Sequence, residues 1–116
     1  MADGASPADV FALLDDEYAR SLLAATSHQP MTAAELSDQC EMSVSTVYRR
    51  LDALESCDLV ASRVRPDADG DHTTEYESHL DRLSVRLDDG SFEVRIETRS
   101  ATQSFVDAFT DLWEGL

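Results

Sequence analysis

Two short helical patterns separated by only three residues constrain the fold of this chain more than any other feature of its sequence. The run TAAE at 32–35 has the form of a capping box, with Thr32 at the N-cap and Glu35 three residues later. It predicts a helix through about Gln39, followed by a turn at 40–42. A second helical pattern begins directly after that turn, so the sequence predicts two consecutive short helices with a tight connection.

The second of these helices is expected over about 43–56, with the serine at its first position as the N-cap. Its apolar residues at positions i, i+4 and i+7 are Val47, Leu51 and Leu54. That spacing predicts a stripe that faces the core. At about 100° per residue, the opposite face is centred on Ser45 and Arg49, with Thr46 and Asp52 beside them. Hydrogen-bonding side chains therefore cluster at the N-terminal half of the exposed face.

Two further helices are expected before this pair. Ser6 is an N-cap followed by Pro7 at the first helical position, which predicts a short first helix. Asp15 or Asp16 can cap a second helix, and the sequence at 28–30 ends it. The chain therefore enters the helical pair through an N-terminal helical segment.

Strand patterns follow the helical pair. Residues 59–65 read as one strand, PDADGD at 66–71 as a turn, and the run from His72 as the returning strand. A second hairpin is indicated by alternating apolar and polar residues on either side of the Asp89-Gly90 turn. Residues 99–116 then place aromatic and aliphatic side chains on one helical stripe, which predicts a terminal helix that needs a partner surface.

The charge balance separates this chain from ordinary nucleic-acid-binding proteins. Its 116 residues include 24 acidic residues, nine arginines and no lysine, and the formal net charge is -15. The 42% hydrophobic content, arranged periodically, predicts a single folded domain rather than disorder. A Debye length of about 3 Å at 1 M salt would screen such a surface, so the composition indicates adaptation to molar salt. Counterion release contributes little there, and the net charge therefore does not exclude DNA as a partner.

The termini and cysteines add little chemistry. The N-terminus lacks a basic segment followed by an apolar one, and no apolar run of about 18 residues occurs, so we expect a cytoplasmic protein. Cys40 and Cys57 have no partners at metal-ligand spacing, and we predict no metal site and no cofactor. No phosphate-binding loop or nucleophile signature is present, so we do not expect an enzyme.

The run MTAAELSDQCEMSVSTVYRRLDALESCDLV, at 31–60, resembles the winged helix-turn-helix core of the ArsR, MarR and PadR type of prokaryotic transcription regulators. The resemblance covers 7–80. The tail LDRLSVRLDDGSFEVRIETR, ending in LWEGL, is similar to haloarchaeal members, which include a regulator of the response to reactive oxygen species. The implied fold class is α+β: a single winged helix-turn-helix domain over 1–116, with an additional β-hairpin at 81–97 and terminal helices, the last at 99–116, that form a dimer interface.

The resemblance also implies a homodimer that binds pseudo-palindromic promoter DNA. The residues expected in or beside the major groove are Thr32, Ser43, Val44, Ser45, Thr46, Tyr48, Arg49 and Arg50. Those expected on the wing, near phosphate or the minor groove, are Arg63, Arg65 and His72. The residues expected at the dimer interface are Val10, Phe11, Leu14, Phe105, Phe109, Leu112, Trp113 and Leu116.

Several alternatives stay open at this point. The arginines of the second helix can instead pair with surface carboxylates such as Asp16, Asp52 or Glu55. The acidic turn at 66–71 can hold potassium or other salt ions against DNA, or be only a salt-adapted surface. The same fold can serve as a protein-docking module of the transcription machinery, or as a redox or ligand sensor acting through Cys40 or Cys57.

Overall fold

The computed structural model describes residues 6–66, 70 and 72–99. The helices are α1 (Pro7–Asp15), α2 (Glu17–His28), α3 (Ala33–Gln39) and α4 (Val44–Ser56). The strands are β1 (Met31–Thr32), β2 (Val60–Pro66), β3 (His72–Ser78), β4 (Leu80–Asp88) and β5 (Ser91–Thr98). The predicted elements within these ranges are confirmed to within a residue or two, and β1 is an addition to them.

Each helix begins at a side-chain cap that the sequence indicates. The Ser6 hydroxyl accepts the Asp9 N–H at 3.2 Å, and the Asp16 carboxylate accepts the Tyr18 N–H at 3.2 Å. Asp16, rather than Asp15, is therefore the cap of α2. The Ser43 hydroxyl accepts the Thr46 N–H at 3.2 Å and starts α4.

The capping box of α3 is present in both directions. The Thr32 hydroxyl accepts the Glu35 N–H at 3.1 Å, and the Glu35 carboxylate accepts the Thr32 N–H at 2.9 Å. The Thr32 backbone N–H, helped by the Thr32 hydroxyl and the positive charge of Arg65, holds the pKa of Glu35 below its ordinary value of 4.5 against the opposing effect of burial. The stability that this ionised group contributes is therefore complete at neutral pH, and it is lost as the pH falls through that lowered pKa.

Thr32→Ala is expected to lower the free energy of unfolding by about 1 kcal/mol, because the Glu35 N–H loses its acceptor. Urea denaturation monitored by circular dichroism measures the change. Thr32→Ser keeps the capping hydroxyl and is the matched control. Equal losses in the two variants would mean that the Thr32 methyl group, and not the cap, carries the effect.

The first sheet has the strand order β1-β3-β2, with both pairs antiparallel. In its register Arg63 lies opposite Glu75, and Met31 lies opposite Tyr76. One face of this sheet carries Met31, Val60 and Tyr76 and packs against the helices. Side chains alternate along a strand, so Arg63 and Glu75 lie on the other face.

The core lies between the helices and this first sheet. Its completely buried large side chains are Val10, Leu22, Thr26, Leu36, Val47, Leu51, Leu54 and Leu59. The predicted stripe of α4 is thus confirmed as its buried face. The opposite face of α4 is left to solvent.

The second sheet is the separate β4–β5 hairpin, which turns at Asp89-Gly90 as predicted. The backbone at the turn is left-handed, with φ of 52° at Asp89 and 80° at Gly90. The two sheets meet at His79, whose N–H donates to the Leu59 carbonyl at 2.8 Å and whose carbonyl accepts the Arg99 N–H at 2.7 Å. The described part of the molecule is therefore α+β, with a helical layer on a three-stranded sheet and a hairpin that follows the end of the central strand β3.

Candidate nucleic-acid interface

The exposed face of α4 presents a cation, hydroxyls and apolar groups together. Ser45, Arg49, Val44 and Tyr48 are all exposed, and the last two are large apolar side chains one helical turn apart. Arg49 makes no hydrogen bond or ion pair with any other residue that the structure describes. Its guanidinium group is therefore available to an external partner.

Arg50, predicted as a DNA contact, is engaged inside the protein instead. It is paired through Nε with the Asp16 carboxylate at the start of α2, and its guanidinium lies 5.6 Å from the centre of the Tyr18 ring. Its side chain is half-buried. The alternative of pairing with Asp16 is thus the one that the structure shows, and Arg50 fixes the position of α4 against α2.

The start of α4 forms a local hydroxyl network. The Ser43 hydroxyl lies 2.9 Å from that of Thr46 and 3.3 Å from that of Ser45. Ser45 is exposed, whereas Thr46 is half-buried. The network holds the start of the helix, where three of the predicted contact residues, Ser43, Val44 and Ser45, remain open to solvent.

Thr32 and Val10 lie where an external partner cannot reach their side chains in this structure. Thr32 is buried and its hydroxyl is occupied as the N-cap of α3. Val10, predicted at a dimer interface, is buried in the core of its own chain. Both predictions misjudged burial, because a helix cap and an inward helical position cannot be separated from surface positions by residue type.

Arg63 and Arg65, the two arginines predicted on the wing, lie on β2. Their side chains are on the same face of the sheet, as their alternation predicts, and both bind the buried carboxylate of Glu75 on β3. Arg63 Nε donates to Glu75 Oε1 at 2.7 Å, and Arg65 Nε donates to Glu75 Oε2 at 3.1 Å. Glu75 is 5% exposed, whereas both arginines are exposed. Arg63 uses only Nε here, so its terminal amino groups have no partner among the described residues.

Glu75 is a site residue that the sequence reasoning missed. The predicted turn could have identified it, because a hairpin that turns within 66–71 pairs Arg63 on β2 with Glu75 on β3. Arg65 Nη2 also approaches Glu35 Oε1 at 3.5 Å. Arg65 thus connects Glu75 in the wing strands to Glu35 at the start of α3.

His72 is exposed at the start of β3, beside the tip of the wing. The wing-tip carboxylates Asp67, Asp69 and Asp71, predicted to be a salt-adapted surface or an ion site, lie outside the described residues. In the part of the chain that the structure describes, no three His, Cys, Asp or Glu side chains come together as a metal site requires.

The two thiols end the two helices of the pair, Cys40 after α3 and Cys57 after α4. Burial raises the pKa of both thiols above their ordinary value of 9.0, and the charges of Asp9 and Asp58 raise that of Cys57 further. Cys57 also lines a cleft of about 490 Å³ between α1 and α4.

Alkylation by iodoacetamide should be slow for both thiols at about pH 7 and should accelerate as the pH rises past 9, because only the thiolate reacts. Mass spectrometry at a series of pH values measures the rate for each cysteine. Half-exposed Cys40 should react before buried Cys57. A rate that is already constant below pH 8 would contradict the raised pKa.

Of the residues predicted at a dimer interface, Phe11 is exposed on α1 and Leu14 is half-buried. The others, Phe105, Phe109, Leu112, Trp113 and Leu116, lie outside the described residues. Their place in an interface stays a prediction.

Residues 14–63, from the end of α1 into β2, match the family model described as a helix-turn-helix domain. This segment is therefore similar to helix-turn-helix domains. The helix-turn-helix pair is α3 and α4, and the β2–β3 hairpin that follows is the wing, so the predicted α+β winged helix-turn-helix fold is confirmed. In such domains the second helix is the one that enters the major groove. No curated protein matched the chain. Among the described residues, no helix has the length and apolar character needed to cross a membrane.

Proposed function

We propose that this protein is a sequence-specific transcription regulator that binds pseudo-palindromic promoter DNA as a homodimer in a halophilic archaeon. The observation that carries the proposal is the exposed N-terminal half of α4 within a helix-turn-helix domain, where Arg49 has no partner among the described residues. Recognition helices contact base edges with this part of their surface. Arginine can donate two hydrogen bonds to one guanine.

The orientation of α4 on DNA follows from its charges. Ser45 and Arg49 occupy the first half of the exposed face, while Asp52 occupies the second half. Glu55 accepts a hydrogen bond from the Ser62 hydroxyl at 3.0 Å and so keeps a carboxylate near the end of the helix. A phosphate backbone repels these carboxylates, and α4 therefore enters the groove by its N-terminal end.

The wing supplies contacts that position the domain. Arg63 and Arg65 are held at one place by Glu75 and retain N–H donors that face solvent. Such donors bind phosphate without reading sequence. We infer that the wing sets the register of α4 in the groove, while α4 supplies the discrimination between bases.

Because the net charge is -15, binding to DNA requires a solvent that screens the acidic surface of the protein. In molar potassium chloride the acidic surface is screened, and potassium ions between carboxylates and phosphates reduce the remaining repulsion. The resemblance to haloarchaeal regulators and the absence of lysine support this setting. The resemblance to haloarchaeal regulators also implies a role in a stress response. The raised pKa values of the two thiols argue against Cys40 or Cys57 as a fast oxidant sensor.

The test is a titration of the purified protein against DNA from upstream of its own gene, and against scrambled DNA, in about 0.2 to 2 M KCl. Specific affinity that holds or rises with salt is the expected result, opposite to the usual effect of counterion release. Absence of specific binding at every salt concentration, with the protein folded, would contradict the proposal.

A second candidate function is docking on a protein of the transcription machinery. The exposed Val44 and Tyr48, one turn apart on α4, favour it because apolar side chains of this size are common at the centre of protein interfaces. The same titration separates the two functions, since a docking module would show no preference for the promoter fragment.

A further inference from the structure

The β4–β5 hairpin has an apolar face that the described part of the chain leaves half open. The side chains of this face are Leu83, Val85, Leu87, Phe92, Val94 and Ile96. Its half nearest the first sheet, where β5 contacts α1, packs against the core. Its tip half is open, with Val85 48%, Leu87 63% and Phe92 59% exposed. An isolated two-stranded hairpin is marginally stable in water, so an open face of this kind calls for a partner.

We propose that the open half of this face binds the C-terminal segment, residues 101–116, of a second copy of the chain. This inference rests on the homodimer of the proposed function and deepens it, because it names the surface that each copy offers to the other. The tip half of the face, formed by Val85, Leu87 and Phe92, is called the seat below.

The segment has an apolar side that matches the apolar character of the seat. Its apolar stripe comprises Ala101, Phe105, Ala108, Phe109, Leu112 and Leu116, with Trp113 beside it. As a helix, 16 residues would extend about 24 Å. Eight residues of antiparallel strand, the length of β5, extend about 27 Å. One amphipathic helix is therefore nearly as long as β5 and long enough to cover the seat, which occupies only the tip half of the face.

The seat is poorly placed for the segment of the same chain. The chain leaves the hairpin at its base, where Arg99 donates to the Asp81 carboxylate at 2.7 Å and its N–H is bound by His79. The apolar face next to this exit is already packed against the core and α1. From Arg99 to Phe92 is about 24 Å of strand, so a chain that returned to its own seat would use about seven extended residues on the way. Those residues, 100–106, include Phe105 of the stripe.

Interface area argues against the remaining arrangement of two copies, in which the two seats pack directly on each other. Stable interfaces bury about 800 Å² per partner, and three partly exposed side chains supply only a fraction of that area. A reciprocal exchange of segments buries both the seat and the stripe, and each contact occurs twice around a two-fold axis.

Disulfide trapping in the full-length protein tests the proposal. In a background carrying Cys40→Ser and Cys57→Ala, one variant carries Leu87→Cys in the seat, and a second set carries Phe105→Cys, Phe109→Cys or Leu112→Cys in the segment. The seat variant is mixed with each segment variant under oxidised glutathione, which accepts the electrons of disulfide formation. We expect at least one mixture to shift from 12.8 kDa to twice that mass on a non-reducing gel. The matched control is Arg86→Cys, on the opposite face of β4, which should give no such shift.

Chains that carry both cysteines distinguish the outcomes. Internal disulfides without covalent dimers would overturn the proposal in favour of the chain's own segment. A dimer by light scattering with no cross-link in any mixture would also overturn it, while leaving the homodimer intact. A monomer by light scattering together with no cross-link would overturn both the seat and the proposed homodimer.

Discussion

Replacing both Arg63 and Arg65 with alanine is expected to lower the free energy of unfolding measurably. The reason is the carboxylate that they leave behind, because Glu75 is 5% exposed and its oxygens accept hydrogen bonds from both Nε atoms. Removing one side of a buried ion pair costs more than the pair contributes as a whole. Both arginine side chains are exposed, so water can reach Glu75 once they are removed, and the loss should be smaller than for a pair with both partners buried.

Urea denaturation of the double variant in molar KCl measures this loss. The matched control removes two arginines from the exposed hairpin, Arg82→Ala with Arg86→Ala, and changes the net charge equally. Adding Glu75→Gln to the first double variant should restore most of the stability, because the buried group is then neutral. If the triple variant were no more stable than the double one, the arginine stems and not the carboxylate would account for the loss.

Arg49→Ala is expected to weaken binding to the promoter site by about 1 to 3 kcal/mol, or about five- to 160-fold, if Arg49 donates to a base edge as proposed. Its effect on stability should be small, since Arg49 is exposed and has no partner among the described residues. Fluorescence anisotropy with specific and scrambled DNA at one salt concentration measures both affinities.

Arg95→Ala, which removes an exposed arginine from the hairpin, is the matched control for charge. Arg49→Lys retains the charge and removes the planar pair of donors, so it should lose specificity and keep non-specific affinity. Equal losses on specific and scrambled DNA in Arg49→Ala would assign Arg49 to phosphate rather than to a base.

Local signals allowed much of the fold to be predicted from the sequence. Each cap and each helical stripe depends on residues within one or two turns, and the capping box at Thr32 was therefore predicted in both directions. The hairpin at Asp89-Gly90 was predicted for the same reason. The strand β1 was missed because two residues, Met31 and Thr32, carry no periodicity of their own.

The side-chain partners of the candidate site could not be predicted in the same way. Arg50 and Asp16 are 34 residues apart, and only the packing of α4 on α2 brings them together. Glu75 has the same residue type as the surface carboxylates around it, and its burial depends on the strands on both sides. Sequence patterns identified the exposed face of α4 because that face is the complement of a buried stripe.

The single-residue link at His79 has a consequence for the spacing of an operator. The sheet of the wing ends at Ser78 and the hairpin begins at Leu80, so the backbone at His79, together with the packing of the hairpin base on the core, sets the angle between the proposed DNA-binding part and the part proposed to hold the second copy. The two halves of a palindromic site are separated by about one helical turn, 34 to 36 Å. In the proposed homodimer, a change in the backbone torsions at residue 79 would therefore alter the distance between the two copies of α4, and with it the number of base pairs between half-sites, without altering the bases that are read.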